Sequence, residues 1–175
     1  HGILGIVVMF KAKSLESRTM TIISIVQACL ATTVLGFYLP GDIQIGSSPF
    51  ILLREQMQNA PIFQQADYLS SVTDGNGLNV LLQNYWMVIH PPILFLGFAS
   101  TLIPFAYAVA AMWKGEYSDF VKPTLSWSLF SGAVLGLGIM MGGAWAYESL
   151  NFGGYWAWDP VENASLVPWI VMIAG

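Results

Sequence analysis

Charged residues are scarce in this chain. Lysine, arginine, aspartate and glutamate make up 9% of its 175 residues, whereas a soluble domain carries about 25%. Cys29 is the single cysteine, which excludes a disulfide framework. The chain also lacks the C-x-x-C-H spacing that attaches c-type haem, and its six basic residues form no patch. These absences exclude a soluble globular domain, a disulfide-stapled domain, a cytochrome c and a nucleic-acid-binding protein.

Apolar residues dominate instead, at 55% of the chain and with a mean hydropathy of +0.62. This composition indicates an integral membrane protein, and the predicted fold is all-α: a polytopic transmembrane helix bundle with short extracytoplasmic loops. Crossing the hydrocarbon core takes about 20 apolar residues. Uncharged runs predict spans at 19–39, 91–112 and 124–147, with the end of a truncated span at 1–10 and the start of another at 165–175. The predicted loops are 40–90, 113–123 and 148–164.

Basic residues are unevenly distributed between these loops. Five of the six lie in or beside two of the connections: Lys11, Lys13, Arg18, Lys114 and Lys122. Arg54, in the loop 40–90, is the sixth. Because cytoplasmic loops carry an excess of lysine and arginine, the loop 113–123 is predicted to be cytoplasmic. The loops 40–90 and 148–164 are then both extracytoplasmic, and His90 lies at the same membrane boundary.

The most distinctive stretch is residues 153–163, GGYWAWDPVEN. Three aromatic rings follow two glycines and run directly into a helix-start signal. Asp159 is predicted to be the N-cap, Pro160 the first helical residue, and Glu162 the carboxylate of a capping box. This cap explains both carboxylates better than a catalytic acid pair does. The rings have two readings: anchors at the membrane interface, as Trp and Tyr often are, or a platform for a large planar ligand.

His90 precedes two prolines. A residue before proline is disfavoured in the α region, so His90 is predicted to stand just outside the helix that begins at Pro91. The positive end of the helix dipole disfavours a charged imidazole there, and neutral imidazole is the form that binds metals. The alternative is a histidine that is only hydrogen-bonded at a helix start.

Other features are predicted to be structural. Pro104 is expected to kink its span or disturb its hydrogen bonding. The glycines at 132, 136, 138 and 142 form two small-xxx-small pairs, which favour close helix packing. Glu148 is expected to be solvated, and the tryptophans outside the aromatic stretch are expected to be interface anchors. Those are Trp86, Trp113, Trp145 and Trp169.

Taken together, these motifs resemble a known family. Residues 153–165, GGYWAWDPVENAS, followed by Pro168-Trp169, are similar to the tryptophan-rich WWD signature of haem-handling membrane proteins. HPPILFLG at 90–97 resembles the first periplasmic histidine motif of the CcmF type within that group, and CcsA is more distant. LNVLLQ at 78–83 and SSPF at 47–50 resemble CcmF segments upstream of it.

The resemblance implies a multi-pass subunit of the cytochrome c maturation haem lyase, a holocytochrome c synthase, in the bacterial inner membrane. It implies transient binding of haem b at the extracytoplasmic surface, received from a haem chaperone and joined by thioether bonds to the C-x-x-C-H motif of apocytochrome c. Other cytochrome c maturation membrane subunits are implied as partners. The lyase would act by positioning its reactants, and no catalytic nucleophile is expected.

The resemblance also assigns site residues. His90 corresponds to an axial ligand of the haem iron. The haem-contacting residues of the loop are Gly153, Gly154, Tyr155, Trp156, Trp158, Asp159, Glu162 and Asn163. The family's second periplasmic histidine and its membrane-embedded histidine have no counterpart here, and His1 is assigned to no haem. The chain is therefore expected to supply one axial ligand at most.

Alternative functions follow from the same residues. A WWD protein that delivers or exports haem without lyase activity would carry the same motifs. A non-catalytic membrane scaffold would leave His90 and the aromatic stretch without a role. A transporter would require ionisable residues at mid-membrane, and the three full spans contain no Lys, Arg, Asp, Glu or His.

Overall fold

The computed structural model describes residues 1–11, 13–41, 43–72, 74–75, 77–118, 120–150 and 154–174. Seven α-helices and one β-hairpin lie in these ranges: α1 (Gly2–Lys11), α2 (Glu16–Thr32), β1 (Phe37–Leu39), β2 (Ile43–Ile45), α3 (Leu53–Gln56), α4 (Tyr68–Ser71), α5 (Tyr85–Lys114), α6 (Val121–Ser149) and α7 (Pro160–Ala174). Short 3₁₀ turns occupy Lys13–Leu15 and Val80–Leu82. The chain divides into two compact units, His1–Ile25 with Asn79–Gly175, and Val26–Leu78.

Helices α5 and α6 form the centre of the first unit and run antiparallel. Along their contact, a glycine of one helix lies opposite a leucine of the other. A Cβ added to Gly97 would lie 2.6 Å from the Leu135 Cα, and one added to Gly138 would lie 2.8 Å from the Leu94 Cα. The two backbones therefore approach too closely for any side chain at those glycines, as small residues permit between apolar helices. The predicted packing role of Gly138 is confirmed.

The hydrophobic core lies where α5 meets α1 and the start of α2. Ile103 and Tyr107 of α5 are buried with Val8, Leu15 and Ile23. Helix α7 packs on α6 from another side, with the Trp169 Nε1 donating to the Gly132 carbonyl at 2.9 Å. Trp169 therefore contributes to the packing of α7 on α6.

Helix α5 continues through all three of its prolines, Pro91, Pro92 and Pro104. It begins at Tyr85, where the Asn84 side chain caps it by accepting from the Trp86 amide at 2.8 Å. It ends at Gly115, whose φ of +75° suits the left-handed C-cap. The prediction that His90 stands outside this helix is wrong. The cap at Asn84 and the packing on α6 outweigh the local penalty that proline imposes on the preceding residue.

The predicted helix over 19–39 is shorter than expected. Helix α2 ends at Thr32, and residues 37–39 form strand β1. The Thr32 and Thr33 hydroxyls donate to carbonyls three residues back, at 2.6 Å each, which competes with the helical ladder. Gly36 then adopts a φ of +61°, a conformation that ends a helix readily.

The second unit departs from a purely α-helical fold. Strands β1 and β2 pair antiparallel, with Phe37 opposite Ile45 and Leu39 opposite Ile43. Pro40 and Gly41 lie in the turn of this hairpin. The hairpin falls where a span was predicted to end and a loop to begin. Aromatic and β-branched residues favour strands, which explains pairing on both sides of the turn.

Within the part of the chain that the structure describes, two helices are long and apolar enough to cross a membrane, α5 with 30 residues and α6 with 29. Helix α7 is apolar but has 15 residues, below the range of about 17–25 that spans a bilayer. The predicted spans at 91–112 and 124–147 lie inside α5 and α6. The mainly helical architecture agrees with the prediction, and passage of the other helices through a membrane stays a prediction.

Candidate functional site

The start of α7 carries the predicted capping box. Asp159 Oδ1 accepts from the Glu162 amide at 2.7 Å, and Glu162 Oε2 accepts from the Asp159 amide at 3.3 Å. Glu162 Oε2 also accepts from the Ala157 amide at 2.8 Å. The helix begins at Pro160. Both carboxylates are thus used to hold the preceding loop on the helix, as a capping box does.

Trp158 has an unusual backbone. Its φ is +59°, the one positive value among the described non-glycine residues. This region is uncommon for a bulky side chain. The Trp158 carbonyl accepts from Asn163 Nδ2 at 3.0 Å, so Asn163, which the sequence pattern left without a structural role, braces the strained residue. The Trp158 indole is 68% exposed.

The aromatic rings of the loop have different surroundings. Trp156 and Trp158 meet edge to face, with ring centroids 5.6 Å apart. Tyr155 stacks on Tyr147 of α6, with centroids 4.4 Å apart and planes 3° from parallel. Gly143 of α6 approaches the Tyr155 carbonyl, which would lie 3.1 Å from an added Cβ. The loop is therefore held against the end of α6 by Tyr155, while Gly153 lies outside the described residues.

His90 points from α5 to α6. Its Nδ1 lies 2.8 Å from the Gly138 carbonyl. A Cβ added to Gly142 would lie 2.7 Å from the His90 Cε1 and 3.1 Å from its Nε2. Gly142 thus leaves the space that the imidazole occupies. The alternative prediction was that His90 is only hydrogen-bonded, and the hydrogen bond itself is confirmed. This bond uses one of the two ring nitrogens.

A cavity of about 250 Å³ brings His90 and the aromatic loop together. Its walls include His90 and Leu94 of α5, Gly142 of α6, and Trp156, Asp159 and Glu162 of the loop and α7. Tyr155 and Trp158 are not among its lining residues. The structure thus places the His90 imidazole and two indoles, those of Trp145 and Trp156, on the same cavity, although Trp156 lies 66 positions after His90 in the sequence.

Several residues near the cavity were not predicted to have tertiary partners. Glu148 accepts from Asn84 Nδ2 at 3.0 Å and from Trp86 Nε1 at 3.1 Å. Trp145 Nε1 donates to the Leu81 carbonyl at 3.1 Å. Three of these are residues that the sequence suggested were solvated or simple interface anchors. The spacing of Gly138 and Gly142 indicated a close helix contact. The spacing alone could not show that His90 is the residue packed there.

The described residues contain no group of three or more His, Cys, Asp or Glu side chains that could hold a metal ion. A protein-held metal ion generally needs three or four such ligands. His90 alone fits a metal whose other ligands are supplied by a macrocycle. The cavity is also smaller than the roughly 300–1,000 Å³ of sites that enclose a whole small ligand, so it would cover one part of such a group.

Comparison with known proteins identifies the family of this chain. The family model of cytochrome C assembly proteins matches residues 1–174. The chain belongs to this family. No solved structure matches it significantly.

Curated relatives in the cytochrome C assembly protein family are much longer than this chain. The CcmF cytochrome c-type biogenesis protein of Escherichia coli is 37% identical over 153 residues, 87% of this chain and 21% of the relative. CycK of Bradyrhizobium diazoefficiens is 40% identical over 83% of this chain and 19% of its own length. CcmF of Pseudomonas fluorescens is 43% identical over 75% and 19%. The chain spans about a fifth of each of them.

Proposed function

We propose that this chain forms part of the haem-holding surface of a cytochrome c maturation protein, with His90 as an axial ligand of the haem iron. The observation that carries the proposal is the shared cavity of His90 and Trp156. Membership of the cytochrome C assembly protein family and the role of the relatives in cytochrome c biogenesis support the choice of haem over other planar ligands.

The residues of this site have three proposed roles: iron ligand, aromatic wall and support of the loop. His90 offers one ring nitrogen, since the other is bonded to the Gly138 carbonyl. Trp156 offers an aromatic wall that a porphyrin can stack on or abut. Asp159 and Glu162 hold the loop through backbone amides, so we assign them to loop support. Tyr155 and Asn163 also support the loop, through the Tyr147 ring and the Trp158 carbonyl, and Gly154 and the exposed Trp158 complete it.

We further propose a role in haem attachment to apocytochrome c, in the bacterial inner membrane and together with other maturation subunits and a haem chaperone. When bound, haem would supply two vinyl groups, to each of which one cysteine S–H of the apocytochrome would add, with sulfur bonding to one vinyl carbon and hydrogen to the other. The described residues would contribute by orientation, which is worth many orders of magnitude in effective concentration.

The test is the haem spectrum of the complete membrane protein with His90→Ala. We expect the Soret band to weaken or shift, because the iron loses a nitrogen ligand, and added imidazole to restore it by filling the space left. Leu96→Ala, an exposed position on the same helix, is the matched control and should leave the band unchanged. An unaltered Soret band in His90→Ala would remove His90 as a ligand.

Attachment is tested separately from binding. Haem-loaded protein mixed with a reduced C-x-x-C-H peptide is expected to yield thioether-linked haem, seen as the c-type pyridine haemochrome. Haem that remains extractable into acidic acetone, from a protein with a normal Soret band, would indicate delivery without lyase activity.

A further inference from the structure

We propose that Gly138 and Gly142 of α6 form a seat that determines which nitrogen of His90 binds iron. In this seat Nδ1 carries the proton and Nε2 is presented to the ligand. The inference rests on the proposed function, because it names the ligating atom of the residue assigned there. It makes Gly142 a positioning residue for the iron ligand.

The hydrogen bond decides the tautomer. Nδ1 of His90 lies 2.8 Å from the Gly138 carbonyl oxygen. A carbonyl only accepts hydrogen bonds, so Nδ1 must be the protonated nitrogen. In neutral imidazole the other nitrogen, Nε2, then carries the lone pair that binds a metal. A backbone carbonyl that holds the second ring nitrogen is a common support for a metal-bound histidine, because it fixes ring orientation and makes the ligand more basic.

Gly142 provides the space for this ring position. It lies one helical turn beyond Gly138 on the face of α6 that α5 contacts, since i and i+4 share a face. A Cβ added to Gly142 would lie 2.7, 3.1 and 3.2 Å from the His90 Cε1, Nε2 and Nδ1. A methyl group there would overlap the imidazole from its Cε1 edge, and the ring would have to turn away from the Gly138 carbonyl.

Comparison of Gly142 with two other glycines of α6 distinguishes the position of the His90 ring from the packing of the helices. A Cβ at Gly138 would strike the backbone of α5, at 2.8 Å from the Leu94 Cα, so a substitution there would disturb the helix pair itself. The nearest atoms at Gly142 belong to the end of a side chain, which can rotate while the helices stay in place. A Cβ at Gly132 would meet nothing within 4 Å, which makes Gly132→Ala a matched control on the same helix.

The first experiment is a titration of the complete membrane protein with ferric haem, followed at the Soret band. Loss of an outer-shell partner of a metal ligand typically lowers affinity about 10-fold to 100-fold, and we expect a loss of that size with a shifted Soret maximum in Gly142→Ala. Gly132→Ala should bind like the parent protein. Equal binding by Gly142→Ala and Gly132→Ala, with the band lost in His90→Ala, would overturn the seat and leave the proposed function standing. An unchanged band in His90→Ala would overturn both.

The second experiment needs no haem. In the haem-free protein labelled with ¹⁵N-histidine, the His90 signal, identified by its absence from His90→Ala, is expected to show a protonated Nδ1 and an unprotonated Nε2. The Nδ1–H signal should shift or vanish in Gly142→Ala and persist in Gly132→Ala. A protonated Nε2 with a bare Nδ1 in the parent protein would contradict the assignment, whatever the titration shows.

Discussion

At the scale of single residues, the two tryptophans of the loop differ most. Trp156 lines the cavity, whereas Trp158 is exposed and has a positive φ. A residue held in such a sparsely populated conformation costs about 1–3 kcal/mol and persists only where its surroundings enforce it. The bond from Asn163 to the Trp158 carbonyl and the bonds from the neighbouring amides to Glu162 supply that constraint. The loop therefore directs two indoles to two different surfaces.

Substitution of each tryptophan should separate these surfaces. Trp156→Ala removes one of the two indoles that line the cavity, the other being Trp145, so we expect weaker haem retention in the purified complete protein. Trp158→Ala leaves the cavity lining intact and is expected to retain more haem than Trp156→Ala, with cytochrome c assembly reduced most in the double variant. The measurements are the Soret absorbance per protein and the yield of holocytochrome c in cells. Greater haem loss in Trp158→Ala than in Trp156→Ala would contradict the division between the two rings.

At the scale of elements, the early start of α5 is what makes His90 part of a site. Because the helix begins at Tyr85, His90 falls in its second turn and faces α6 instead of lying at a helix end. The Pro91 and Pro92 nitrogens cannot donate to carbonyls one turn back. The Asn84 cap and the hydrogen bonds that Asn84 and Trp86 donate to Glu148 stabilise the start of α5. These bonds compensate for the backbone hydrogen bonds that the prolines cannot form.

The capping box of α7 is the element that fixes the loop, and Glu162→Ala tests it. The substitution frees the Ala157 and Asp159 amides, and capping residues are worth about 0.5–2 kcal/mol. We expect faster hydrogen exchange at both amides and at the first turn of α7. Val167→Ala, at an exposed position of the same helix, serves as control and should leave that exchange unaltered. Protection that survives Glu162→Ala would show that packing, and not the cap, holds the loop.

At the scale of the whole molecule, the charge distribution predicts the membrane orientation. Helices α5 and α6 lie antiparallel, so the α5 start and the α6 end share one end of the first unit, and the connection 115–120 lies at the other. Lys114 and Lys122 flank that connection, which the positive-inside tendency places in the cytoplasm. His90 and the aromatic loop are then predicted to lie at the extracytoplasmic end.

Cysteine labelling in intact cells tests this orientation. In a Cys29→Ser background, we expect an impermeant maleimide to modify Ala60→Cys and Tyr155→Cys from outside. Ser118→Cys should react only after permeabilisation, because the basic residues keep its loop inside. Labelling of Ser118→Cys in intact cells, or protection of Tyr155→Cys, would reverse or break the predicted topology.

Local chemistry was sufficient to predict several features correctly. The capping box at Asp159 and Glu162 and the helix start at Pro160 depend on bonds within a few residues, so their spacing in the sequence specifies them. The apolar runs within α5 and α6 are long enough to be recognised by composition. The close approach of Gly138 to α5 follows from a known preference of packed apolar helices. Each of these depends on properties of one short stretch.

Other features depend on contacts that no short stretch contains. Proline rules placed His90 outside its helix, yet an upstream cap and packing on α6 draw it inside. The same packing selects the nitrogen that faces the Gly138 carbonyl and puts Trp156 on the cavity that His90 lines. The hairpin after Gly36 likewise replaced a predicted helical end. Chain-local preferences are worth up to about 1 kcal/mol for most residues and about 3 kcal/mol for a proline inside a helix, so the summed burial and hydrogen bonding between elements outweighs them. The residue types therefore predicted the chemistry near His90, whereas the cavity itself is formed only in the folded protein.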